Sequence, residues 1–125
     1  MQRFSDDELD REVLYVLKQH TGKNNPVGRW ELVSKIFGAA AAIQQNDENP
    51  ADRVIRESIA RQRKNGLLVC NMGDGRGSYL ASTLDEYTEF RQYYGSAAFE
   101  KMSIIHNMDD AAKEYFPDML QPRLL

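Results

Sequence analysis

Arg53, Arg56, Glu57, Ala60, Arg61 and Lys64 recur at three- and four-residue spacing, which gathers them on or beside one face of a helix. Arg76 stands apart, inside the glycine-rich run Gly73-Asp74-Gly75-Arg76-Gly77. Guanidinium groups offer a planar fork of N–H donors that matches guanine edges and phosphate oxygens, whereas the Lys64 ammonium suits a phosphate. Glu57 can accept from a cytosine amine, or pair with Arg53 or Arg61 one turn away. Such a set predicts double-stranded DNA as the partner, with a recognition helix over residues 50–65 in the major groove. The turn over residues 71–78 would then reach the backbone or the minor groove through Arg76.

Other chemistries fit the chain less well. The glycines at 73, 75 and 77 invite a nucleotide-binding reading. A phosphate cradle, however, leads from a strand into a helix, and these glycines lie between two expected strands. His20, His106 and Cys70 fall in different expected elements, without metal-ligand spacing. Cys70 sits in an apolar run and reads as a small core residue, and His20 as a complement to a helix C-terminus. The acidic pairs Asp6-Asp7, Asp85-Glu86 and Asp109-Asp110 lie at helix starts or on exposed faces. No catalytic residue, metal site or cofactor is therefore expected, and the chain does not read as an enzyme.

The elements that must position these residues have distinct start and stop signals. Ser5-x-x-Glu8 forms a capping box for a first helix over about 6–20, whose apolar stripe is Leu9, Val13, Val16 and Leu17 with Tyr15 beside them. Gly22 and Asn24-Asn25-Pro26 end it. Val27 can form a very short strand before a second helix over about 29–37, built on Trp30, Leu32, Val33, Ile36 and Phe37 and stopped at Gly38. Ala39–Ile43 extends that helix or begins a separate turn, and Gln44–Glu48 reads as loop. Asn49 as N-cap and Pro50 at the first position open the third helix, which Gly66 closes. Leu67–Cys70 and Ser78–Ala81 are expected as strands around the turn. A second capping box, Thr83-x-x-Glu86, opens a long last helix that ends near Pro117, with Gly95 as a point of bending or interruption.

Composition sets the frame. Of 125 residues, 42% are hydrophobic and 28% charged, as in a globular protein rather than a disordered one. No apolar run approaches the ~20 residues that a membrane span needs, and the acidic start Met1–Glu8 lacks the apolar core of a signal peptide. The single Cys70 fits a reducing cytoplasm. Net charge is −3, but residues 21–82 carry nine basic and six acidic side chains, and residues 83–125 carry four basic and eight acidic. Positive charge thus gathers where the DNA-binding pattern lies.

The order helix, short strand, helix, helix, strand, turn, strand resembles the winged helix-turn-helix superfamily over about residues 7–82, particularly its small phage and bacterial members. Pro26-Val27, the Trp30–Gly38 helix, Asn49-Pro50-Ala51-Asp52-Arg53 and the run Arg61–Val69 carry the likeness. The chain departs from that pattern in its long connection before the third helix and in Gln62, where a large apolar residue is more usual. The resemblance implies a mainly α (α+β) winged helix-turn-helix with a two-stranded wing. It further implies a DNA-binding regulator or a replication or partition factor, with a protein-interaction adaptor as the alternative. Residues 1–82 would form the DNA-binding domain and residues 83–125 an amphipathic helix. Tyr87, Tyr94, Ala98, Met102, Ile105 and Met108 recur on that helix at three- or four-residue spacing or its multiples, and predict a homodimer seam.

Overall fold

A computed structural model describes residues 3–117. Their elements are α1 (Asp6–Lys18), α2 (Arg29–Phe37), a 3₁₀ turn (Ala39–Ala42), α3 (Pro50–Lys64), β1 (Val69–Cys70), β2 (Tyr79–Leu80) and α4 (Leu84–Tyr115). The fold is mainly helical, with one small antiparallel sheet and a long last helix. By internal contacts the chain divides into two compact units, Met1–Phe90 and Arg91–Leu125, so the division falls inside α4. Among the described residues, no helix is long and apolar enough to cross a membrane.

Local signals account for the helices of the first unit. Ser5 and Glu8 close the capping box on α1, each backbone N–H donating to the other's side chain at 3.2 Å. Leu9, Val13, Val16 and Leu17 of α1 are buried, whereas Tyr15, expected beside them, is 67% exposed. Leu32, Val33 and Ile36 bury one face of α2. Gly38, at φ +94°, ends α2 in a conformation that L side chains avoid, and the alanines that follow form the separate 3₁₀ turn.

Asn49 does more than cap α3. Its Oδ1 accepts from the N–H groups of Ala51 (2.9 Å) and Asp52 (3.1 Å). Its Nδ2 donates to the carbonyls of Ala41 (2.7 Å) and Gln44 (2.6 Å), which fastens the long connection to the helix start. At the other end Gly66, at φ +94°, gives α3 a full Schellman stop. The Gly66 N–H donates to the Arg63 carbonyl, and the Leu67 N–H to that of Gln62. That stop uses Leu67 and shortens the expected strand, so β1 begins only at Val69.

β1 and β2 pair with Val69 opposite Leu80 and Cys70 opposite Tyr79. Val27 adds an antiparallel bridge to Ser78, with both backbone hydrogen bonds made (2.8 and 2.9 Å), and Thr21 a parallel bridge to Leu80. The main core joins α1, α2 and α3 through side chains such as Val13, Leu17, Val33 and Ile55, with Val27 and Val69 at the sheet. Burying each such side chain stabilises the fold by roughly 1.5–3 kcal/mol. A smaller cluster holds Cys70, Tyr79 and Phe90, where burial pushes the Cys70 thiol and the Tyr79 phenol up from their ordinary values.

The start of α4 differs from its expected capping box. Glu86 N–H donates to Thr83 Oγ1 (3.1 Å), but the Glu86 carboxylate takes the Ser82 N–H (2.8 Å) and the Lys23 N–H (3.0 Å) instead of the Thr83 N–H. Lys23 Nζ also pairs with Glu89 at 2.7 Å. α4 runs through Gly95 without interruption.

Candidate functional site

The face of α3 turned away from the core carries Arg53, Arg56, Glu57, Ala60 and Lys64, all exposed. The opposite face explains this orientation. Ala51, Asp52, Ile55, Ser58, Ile59 and Gln62 are buried on it, and three of these are polar. Among the described residues, Arg53 and Lys64 meet no acid within ion-pair distance, and Glu57 closes no pair with Arg53 or Arg61. These side chains are open to a partner.

Arg61 is not. Its Nη2 and Nε donate to Asp10 of α1 at 2.8 and 3.3 Å, and its Nη1 lies 3.8 Å from Asp6. Ser58 Oγ also donates to Asp10, and Gln62 Nε2 bridges the Asp10 carbonyl and Ser58 Oγ, each at 3.2 Å. The Arg61 guanidinium holds the Asp10 carboxyl below its ordinary range, against a smaller upward push from burial. Gln62, unusual for such a helix by sequence, is the buried centre of this α1–α3 polar seam. Arg61 therefore belongs to the fastening of two helices rather than to the outward set expected of it.

Arg56 is intermediate. Its Nε donates to Asp52 at 2.9 Å and its Nη2 to the Asp47 carbonyl at 3.3 Å, while about half of its side chain stays exposed. Asp52, 1% exposed, also holds Arg29 of α2 in a two-pronged bond (2.9 and 2.6 Å). Burial pushes the Asp52 carboxyl up, but Arg29 and Arg56 together outweigh it and hold it below its ordinary value. Arg29 also stacks over the Trp30 ring at 4.6 Å and reaches Asp47 at 2.8 Å. Arg63, a further base of α3, donates to the Val69 carbonyl and lies over Phe90.

The glycine-rich turn is built by its own polar side chains. Asn71 Oδ1 accepts from Gly73 N–H (2.9 Å) and Asp74 Oδ1 from Arg76 N–H (3.1 Å), while Gly73, Gly75 and Gly77 all take positive φ. The Arg76 side chain is 69% exposed, with Asp74 at 3.8 Å. Beside the outer face of α3, a depression of about 230 Å³ is lined by the apolar Phe4, Leu9, Phe37 and Val54 and by the charged Arg3, Asp6, Glu57 and Arg61.

Cys70 is buried in β1, and His106 is exposed on α4. His20, expected in the last turn of the first helix, lies past the end of α1, where its Nδ1 meets the Asn25 carbonyl at 3.0 Å and so closes the turn that follows. Among the described residues no group of His, Cys, Asp or Glu could hold a metal. Of the expected seam residues, Tyr87 lies in the first unit. In the second, Tyr94, Ala98 and Met108 are exposed, and Met102 and Ile105 are partly covered. Sequence reasoning missed Asp10, Arg29 and Asp52; only the i,i+4 spacing of Asp52 and Arg56 hinted at one of these bonds. No protein-family model, no curated protein and no solved structure matches the chain.

Proposed function

We propose that this chain is a winged-helix protein that binds double-stranded DNA, with α3 in the major groove and the 71–78 turn as the wing. The observation that carries the reading is the open outer face of α3. Arg53 and Lys64 stand there unpaired among the described residues, with Ala60 between them and Glu57 as the one acid. Arg76 at the exposed turn supplies a second basic contact. The order α1, Val27 bridge, α2, α3, β1, turn, β2 supports the winged-helix plan. Arg61, held by Asp10, is left out of the contact set. Transcriptional regulation by a homodimer is the task that suits this design, and a replication or partition role would use the same residues.

A second reading is a protein-interaction adaptor, favoured by the partly apolar depression beside α3. Fluorescence anisotropy against random-sequence duplex DNA, at low and at physiological salt, separates the two. DNA binding should appear at roughly 10⁻⁴–10⁻⁶ M and weaken with a log–log slope of about −0.9 per neutralised phosphate. Arg53→Ala with Lys64→Ala should flatten that slope by about two phosphates' worth and leave Tm unchanged. Absence of binding at low salt would remove the DNA reading and leave the adaptor.

A further inference from the structure

Arg29, Arg56, Asp52 and Asp47 form a cluster that meets the outer face of α3 only at Arg56. Asp52 is its fixed part. It is almost wholly buried, takes both prongs of Arg29 and the Nε of Arg56, and so sets the two guanidinium groups side by side. Asp47 is its loose part. Its side chain is 89% exposed, it belongs to the polar connection before α3, and its carboxylate accepts at 2.8 Å from Arg29 Nη2, the nitrogen that also donates to Asp52. An exposed ion pair of this kind contributes little to stability and is readily exchanged.

Two guanidinium groups against two carboxylates make the cluster neutral, so as it stands it has no pull on an anion. Once the Asp47 carboxylate leaves, one positive charge is uncompensated, and one of the two N–H groups of Arg29 Nη2 is open while the other stays on Asp52. Phosphate oxygens and carboxylate oxygens compete for such donors with the same geometry.

We propose that Arg29 and Arg56 form a phosphodiester site for duplex DNA, and that the Asp47 carboxylate occupies it as an internal stand-in for the phosphate. The proposal rests on the DNA-binding reading. Binding exchanges one ion pair for another: a DNA phosphate oxygen accepts a hydrogen bond from the Arg29 Nη2–H that Asp47 vacates, and Asp47 turns to water. The 43–49 connection, longer than a tight turn needs, thereby damps affinity.

The test uses the full chain and random-sequence duplex DNA at several salt concentrations. Asp47→Asn removes the stand-in at an exposed position. Glu48→Gln removes the same charge one residue away, from a side chain that meets neither guanidinium. Asp47→Asn should tighten binding roughly three- to tenfold and steepen the salt slope by about 0.9, as one added phosphate contact requires. Glu48→Gln should change affinity less than about twofold, the screened effect of charge alone. In an Arg29→Gln background the gain from Asp47→Asn should vanish, and if that background fails to fold, the Asp47→Asn and Glu48→Gln comparison decides alone. If the wild-type protein binds DNA with normal salt dependence but Asp47→Asn gains no more than Glu48→Gln, the stand-in is refuted and the DNA reading stands. If neither wild type nor Asp47→Asn binds at low salt, both fall.

Discussion

A guanidinium already bonded to a carboxylate must break or share that bond before it can meet a phosphate or a base. This sorts the arginines of α3 by what their partners can release. Arg53 gives up nothing, Arg56 shares a buried acid, and Arg61 is held in a forked bond to Asp10 that also engages Ser58. Removing Arg61 should therefore act on stability before it acts on binding. Arg61→Ala leaves Asp10 short of its main donor, and should lower unfolding free energy by about 1–3 kcal/mol, as measured by urea denaturation. This seam and the Asp52 cluster together set an acid limit. Asp10 and Asp52 both titrate below their unfolded values, so the stability they contribute is fully present above the unfolded carboxylate range. It is lost as pH falls through their folded values, below about pH 4. An Asp10→Asn variant should be less stable at neutral pH and show a flatter decline on acidification. An equally steep acid limb in that variant would assign the acid limit to other carboxylates.

At the scale of elements, what is legible in the sequence is what is local. Ser5-x-x-Glu8, Asn49-Pro50, Gly38 and Gly66 each act within a few residues, so α2 over 29–37 and the start of α3 at Pro50 can be read directly. The acids are not legible in this way, because Asp10 meets Arg61 from 51 residues away and Arg29 meets Asp52 from 23. A helical wheel assigns Arg61 to the margin of the outer face, and only packing against α1 turns it inward. The strands shrink for a local reason that competes with β propensity, since Leu67 is taken up in closing α3. The turn yields a prediction of the same kind. A Cβ on Gly77, at φ +118°, would lie 1.9 Å from the Val27 carbonyl oxygen, where the bridge draws the chain against Val27. Gly75, at φ +84°, has nothing within 4 Å. Gly75→Ala should cost about 1–2 kcal/mol, the left-handed penalty alone, whereas Gly77→Ala should cost about 3 kcal/mol or more and detach Val27 from Ser78. Thermal melts of the two variants check the order, and equal losses would show that the turn moves freely away from Val27.

At the scale of the whole molecule, the second unit raises the question of what its helix buries. An isolated helix is marginal in water, and most helical stability in proteins comes from packing an apolar face. Within Arg91–Leu125 the only described element is the remainder of α4, and Tyr94, Phe99, Ile104 and Met108 of it are between 52% and 73% exposed. The same stretch carries Met102 four residues and Ile105 seven residues after Ala98, a spacing that suits a helix–helix seam between two copies. A dimer formed there would also offer two α3 helices to two DNA half-sites. Replacing Met102 and Ile105, both in the second unit, with glutamate would set like charges in such a seam. Sedimentation at micromolar concentration should then find the wild-type chain dimeric and the double variant monomeric, with weaker DNA binding and an unchanged hairpin and α1–α3 core. A wild-type chain that sediments as a monomer would leave the stripe of α4 to a different partner, and one α3 per molecule to read any DNA it meets.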